Sequence, residues 1–220
     1  MPFSSQHIGR MLRWVVRFRH RRGYGIHSPF AFGFVTGVIY ERGCYYAYDA
    51  LSEIYKAAPH RYGLRWKDCQ LLFRLANFQH PATCLLLGFK ADSLPADMVR
   101  AACPHCRVLP GSQTLSNSNN PSADLINGSR TFPGSDNAHP PADLIIMADG
   151  WESTPSAQLL SALREGGMLI VQHLRSPRQR QAWQALTEQP QAQVCFDLYD
   201  FGIICFRPEL QRQRYVINYF

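Results

Sequence analysis

Three groups of residues could do chemistry. Asp149 comes directly after the apolar run at 143–148, and His173 comes two residues after the run at 168–171. Short continuous apolar runs read as buried parallel strands, and open α/β sheets bind ligands beyond the carboxyl ends of such strands. If the two strands are neighbours, Asp149 and His173 face one another across one crevice. The pair could act as acid and base. It could hold a metal ion if one or two further ligands such as Glu152 joined it, or be a surface hydrogen bond with no chemistry. Cys103-Pro104-His105-Cys106 has the spacing of a redox pair. That chemistry needs a thiolate at a helix N-terminus, whereas here the expected helix precedes the motif. A single Cys-x-x-Cys is also half of a structural zinc site, and the plain alternative is two small residues at a helix end. His27, just before Ser28-Pro29, could close over the ligand edge and touch substrate. It could equally bond a backbone carbonyl and orient the N-terminal helices.

The elements that must position these groups follow from periodicity and punctuation. Residues 1–23 have helical spacing of Trp14, Val15 and Phe18, with arginines between them. Ser28 as N-cap and Pro29 at the first helical position start a helix that runs to Ile39. Phe30, Phe32 and Phe34 read as core aromatics. Helices are expected at 48–56 and, after a loop at 59–63, at 66–78, the latter amphipathic with Leu71, Leu72, Leu75 and Phe78 on its apolar side. From residue 83 strands and helices alternate. Strands are expected at 83–87, ending in Gly88, then at 107–109, ending in Pro110-Gly111, and at 143–148 and 168–171. Helices between them are expected at 95–102, capped by Ser93 or Asp92, and at 156–164, ended by Gly166-Gly167. Residues 110–141 are rich in Ser, Asn, Pro and Gly and read as a long loop. A helix at 177–187 precedes a hairpin of 193–199 with 202–206, and 215–220 could add to a sheet edge or cover it. The class is α/β, a mostly parallel sheet with a C-terminal antiparallel hairpin, preceded by N-terminal helices.

Composition agrees with such a core: 220 residues, 46% hydrophobic and 18% charged. The chain divides into an N-terminal helical extension, 1–65, and a sheet domain, 66–220. Net charge is +7, and no acidic residue precedes Glu41, whereas Arg10, Arg13, Arg17, Arg19, Arg21 and Arg22 cluster. The segment 10–22 could meet nucleic acid, a membrane surface or an acidic protein partner, or be a solvated helix face. Motifs for stacking RNA bases are absent. No apolar run reads as a secretory signal or approaches the roughly 20 residues of a membrane span. Seven scattered Cys, several inside apolar runs, point to a reducing cytoplasm.

Several stretches together resemble a bacterial family of class I S-adenosylmethionine (SAM)-dependent methyltransferases. They are Gly23-Tyr24-Gly25-Ile26-His27-Ser28-Pro29-Phe30-Ala31-Phe32, with Phe34-Val35 and Tyr45-Tyr46 after it; Leu71-Leu72-Phe73-Arg74-Leu75-Ala76-Asn77-Phe78 leading into Leu85-Leu86-Leu87-Gly88; Asp149-Gly150; and Asp197-Leu198-Tyr199-x-Phe201-Gly202-Ile203-Ile204-x-Phe206-Arg207. The family carries a similar Gly-x-His-Ser-Pro-Phe signature near its start. The resemblance implies a Rossmann-like sheet, SAM as cofactor, cofactor contacts from Gly88, Phe89, Lys90, Asp149 and Gly150, and Asp149, His173 and His27 as the catalytic candidates; no metal site is assigned.

The departures are as specific as the matches. A SAM loop normally offers several glycines, so that the backbone can approach the ligand; here Gly88 stands alone, and the bulk of Phe89 and Lys90 should take up ligand space. An acidic residue normally ends the second strand and grips the ribose; here Pro110-Gly111 stands there, with no spacing that brings in Asp92 or Asp124. In catechol-type relatives, acids near the end of the fourth strand hold a divalent cation; this chain has Gln172 and His173. The implied function is a divergent methyltransferase with an unidentified acceptor. The alternative is a non-catalytic binding module of the same fold, acting through its basic N-terminal helix.

Overall fold

The computed structural model describes residues 25–59, 61–111 and 141–219. The basic helix expected at 1–23, with the arginine cluster, and nearly all of the loop expected at 110–141 lie outside them.

The first helix, α1 (Pro29–Phe34), starts as its punctuation predicts: the Ser28 hydroxyl accepts a hydrogen bond from the Ala31 amide at 3.3 Å. It runs on into a π-helical turn at Val35–Ile39. Phe34 is buried and stacks 4.8 Å from Phe196, but Phe32, on the opposite side of the helix, is 48% exposed and is not a core residue. Helix α2 spans Tyr48–Ala57, and a 3-10 turn at Arg61–Gly63 leads into α3, Trp66–Gln79. The amphipathic expectation for α3 is corrected. Leu71, Leu72, Phe73, Leu75 and Ala76 are all buried, and so are Asp68 and Arg74. The helix packs against α1 and α2 and shares one core cluster with the sheet, so it has no solvent face along its middle. Arg74 is admitted because Nε and Nη2 donate to the Val38 and Ile39 carbonyls at 2.7 and 3.3 Å, which the π-helical turn leaves open.

Seven strands follow: β1 Thr83–Leu87, β2 Arg107–Gly111, β3 Ala142–Met147, β4 Leu163–Gln172, β5 Val194–Asp197, β6 Phe201–Cys205 and β7 Gln213–Val216. Their order is β2-β1-β3-β4-β6-β5-β7, and β6 alone runs antiparallel to its neighbours. Three helices lie between strands: α4 (Leu94–Ala102) after β1, α5 (Ser156–Ala162) after β3 and α6 (Pro177–Glu188) after β4. This is the Rossmann-like, mostly parallel sheet with a C-terminal antiparallel hairpin that the resemblance implies. Register sorts the strand residues by face. Leu86, Ile146, Ile170, Ile203 and Phe196 form one row across five strands, under α1 and α3. Their neighbours Leu85, Ile145, Leu169, Ile204 and Cys195 line the other face. The last strand, β7, adds parallel to β5 at the edge, but it begins at Gln213 and takes in only Tyr215 and Val216 of the stretch expected at 215–220.

The helix expected to end at Gly166-Gly167 stops at Ala162, and Leu163 already pairs with Ala142 in the sheet. The glycines serve a bulge in β4. Gly166 has φ +78° and donates to the Phe206 carbonyl at 2.7 Å, and a Cβ on Gly167 would stand 2.7 Å from the Arg164 oxygen. Bonding to the distant Phe206 prevails over the local helix-end signal.

Candidate functional site

Three hydrogen bonds build the carboxyl edge of the sheet. Gly88 N–H donates to Gly111 O at 3.1 Å, and Ala148 N–H donates to Leu87 O at 2.9 Å, so the ends of β2, β1 and β3 are stitched in sequence. Gly150, at φ +95°, turns the chain into a 3-10 helix at Trp151–Ser153. The buried Trp151 indole then donates to the Gln172 carbonyl at 2.7 Å, tying this turn to the end of β4. Asp149 and His173 are thereby brought together, with His173 Nδ1 3.5 Å from Asp149 Oδ2.

The two partners differ in setting. The Asp149 side chain is 60% exposed, whereas that of His173 is 10% exposed. Gln179 Nε2 donates to Asp149 Oδ1 at 2.6 Å. The same amide closes the start of α6, its Oε1 accepting from the Arg175 and Ser176 amides at 3.1 and 3.0 Å. Sequence reasoning missed Gln179, although Ser176-x-x-Gln179 is a legible capping box. Burial pulls the His173 imidazole below its ordinary pKa, Arg175 adds to this, and Asp149 opposes it. Such an imidazole is neutral at pH 7. The network assigns its Nδ1–H to Asp149 and leaves Nε2 as the basic atom. The turn at Arg61–Gly63 covers the ring: a Cβ on Gly63, φ +68°, would lie 3.2 Å from Cε1 and 3.8 Å from Nε2.

His173 itself sits at φ +61°, a left-handed conformation uncommon for a residue with a side chain. Its N–H donates to Asp200 O at 2.8 Å, and Leu174 N–H donates to Tyr199 O at 2.9 Å. The Asp200 carboxylate, 2% exposed, accepts from Arg65 Nη2 at 2.6 Å and from Arg175 Nε at 3.1 Å. Arg65 also grips Asp68 through Nε and Nη2, each at 2.8 Å.

The other candidates fall elsewhere. Gly88, φ +79°, presents backbone at the edge beside Asp149. The Phe89 ring is 5% exposed and packs into the core cluster with α3 and α4, so its bulk is taken up by the core. Lys90 is exposed, and its carbonyl accepts from Ser93 N and Oγ at 3.2 and 2.6 Å, closing a tight turn; the Ser93 hydroxyl therefore points back and does not cap α4. Pro110 and Gly111 continue β2 to its described end and offer no carboxylate. Asp92 instead edges a pocket with Tyr55, Arg61, Leu64, Leu94 and Pro95.

His27 is exposed and adjoins Ser28, and Phe30 one turn later lies 6.3 Å from Phe78, with the Arg207 guanidinium 5.3 Å over its ring. Arg207 follows Phe206, which bonds Gly167 near the start of β4. The Ser28 hydroxyl, next in the chain, meets the Tyr215 hydroxyl on the edge strand β7. Among the described residues no three His, Cys, Asp or Glu side chains could share a metal ion, so Glu152 does not complete a metal site with the pair. Cys103 Sγ donates to Ala76 O at 3.3 Å, and burial pushes the Cys106 thiol up to about 11, the reverse of what a redox thiolate needs. No helix among the described residues is long and apolar enough to cross a membrane.

No family model and no curated protein matches the chain. Among solved structures it is similar to the O-methyltransferase TomG of Streptomyces achromogenes, involved in tomaymycin synthesis and in complex with SAM, at 14% identity and TM-score 0.47 over 75% of this chain and 91% of that one. It is similar to the methyltransferase PaMTH1 of Podospora anserina, bound to S-adenosylhomocysteine (SAH), at 10% identity and TM-score 0.47 over 94% and 98%. An O-methyltransferase of Bacillus cereus, in complex with SAH, matches at 14% identity and TM-score 0.41 over 78% and 95%. The strand order β2-β1-β3-β4-β6-β5-β7 carries the fold.

Proposed function

We propose that this protein transfers a methyl group from SAM to an acceptor hydroxyl or amine at the carboxyl edge of the sheet. The observation that carries this reading is the neutral, nearly buried imidazole of His173, aligned by Asp149 and Gln179 at the ends of β3 and β4. A base of this kind suits removal of the acceptor's proton as its oxygen or nitrogen is alkylated.

The residues present fit SAM at the backbone and not at the sugar. Gly88 and Gly150, both in left-handed conformations at adjacent strand ends, leave room for close approach of a ligand. The described end of β2 supplies no carboxylate for the ribose hydroxyls, so affinity should be low. Gly88, Asp149 and Gly150 would hold the nucleoside. When bound, SAM supplies an electrophilic methyl group. The chain supplies alignment and a proton acceptor: His173 Nε2 takes the acceptor's proton, and the ring, now cationic, keeps its Nδ1–H directed at the Asp149 carboxylate, whose negative charge stabilises it. The Arg61–Gly63 turn shields the ring from water.

The lack of a carboxylate at the described end of β2 favours a second reading, a non-catalytic binding module of the same fold. A thermal-shift titration with SAH separates the two. At a hundredfold its dissociation constant, SAH should stabilise the fold by about 2.7 kcal/mol. No shift at millimolar SAH would leave the binding-module reading.

A further inference from the structure

We propose that Asp200 is the positioning residue of this site: its buried, doubly gripped carboxylate holds the hairpin turn so that its own carbonyl fixes the His173 backbone and, through it, the direction of the imidazole. The inference rests on the proposed role of His173.

Asp200 lies in the turn between β5 and β6. That turn is closed by Leu198 N–H donating to Phe201 O and by Tyr199 N–H donating to Asp197 Oδ1, each at 2.8 Å. Tyr199 takes φ +70° within it. The turn then meets the segment after β4 through two bonds, from His173 N to Asp200 O and from Leu174 N to Tyr199 O. These backbone bonds need the turn in one place. The side chain supplies that: Asp200 Oδ2 receives Arg65 Nη2 from the start of α3, and Oδ1 receives Arg175 Nε and Nη2 from the segment it must align. Arg65 is itself locked by Asp68, so the chain Asp68–Arg65–Asp200–Arg175 joins three separate elements around His173.

A buried ion network is a weak source of net stability, because desolvation offsets the attraction. A packed apolar turn would serve stability equally well. What the charges add is a single geometry, and the strained residue they fix is His173. A left-handed non-glycine residue persists only where its surroundings over-determine it.

The test is nuclear magnetic resonance of the full chain labelled at histidine and backbone nitrogen, comparing wild type with Asp200→Asn and Arg175→Met. The expected result in Asp200→Asn is a loss of roughly tenfold or more in exchange protection at the His173 and Leu174 amides, while Ile146 and Leu85 keep theirs. The His173 ring signals should pass from one tautomer to an average of two. Arg175→Met, which leaves Arg65 in place, should move the same signals in the same direction by less, and it serves alone if Asp200→Asn does not fold. Unchanged His173 signals in the folded variants would overturn the proposal, and so would a uniform loss of protection across the sheet. Neither readout needs catalysis. Absence of SAH binding by the wild type would therefore defeat the proposed function while leaving this positioning role standing or falling on its own signals.

Discussion

Trp151 Nε1 donates to the backbone oxygen of Gln172 at 2.7 Å and reaches that of His173 at 3.2 Å, so the indole joins the turn that carries Asp149 to the strand end that carries His173. The indole is 1% exposed. Trp151→Phe keeps most of the packing and removes the buried indole hydrogen bond, so about 0.5–1.5 kcal/mol of stability should be lost. Asp149 and His173 should also uncouple. Urea denaturation checks the first effect, and the histidine ring signals check the second.

Gly63 should not tolerate a side chain. Its φ of +68° and the 3.2 Å approach of the His173 ring to a built Cβ act together. Gly63→Ala should cost at least about 1–2 kcal/mol from backbone strain alone. It should also displace the imidazole, which a shift of the His173 ring resonances would report.

Gln179 has two jobs in one amide, and they can be separated. Gln179→Glu keeps the acceptor oxygen for the Arg175 and Ser176 amides but sets a second negative charge against Asp149. Helix α6 should persist by circular dichroism, and methyl transfer should fall through kcat with little change in KM. Gln179→Ala removes both functions and should cost on the order of 1 kcal/mol in stability.

Protonation of His173 should oppose folding. Its folded-state pKa lies below the ordinary 6.5. As pH falls through 6.5 the unfolded chain binds a proton that the folded chain refuses, so stability declines until pH passes the folded value. Above about 7 the group contributes no slope. Thermal midpoints of wild type and His173→Gln, measured from pH 5 to 8, should diverge only on the acid side.

Lys67 gives the complementary window. Its ammonium lies 4.5 Å over the Tyr219 ring, and burial, followed by the neighbouring Arg65, pushes its pKa down to about 8 from 10.5. Between those values the unfolded chain is the more protonated, so stability should rise with pH. Lys67→Met should flatten that rise in a denaturation series from pH 7 to 10.5.

Strand ends were legible in the sequence because a buried parallel strand is a continuous apolar run, and Asp149 and His173 could be placed from that alone. The start of α1 was legible because Ser28 and Pro29 act locally. What stayed hidden depends on distant partners. Gly166-Gly167 reads equally as a helix end or a bulge, and the choice is made by Phe206. Asp68 and Arg74 look like surface residues of α3 until Arg65 and the open carbonyls of the π-helical turn are placed beside them. Gln179 reads only as a capping residue, because its second role arises when Asp149 folds next to it.

The central claim is that Gly88, Asp149, Gly150 and His173 border one ligand crevice. Amide chemical-shift mapping with SAH tests it most directly. Saturable shifts confined to those four residues and their immediate neighbours are the predicted result. Unmoved amides at millimolar SAH, or shifts centred on another part of the chain, would contradict it.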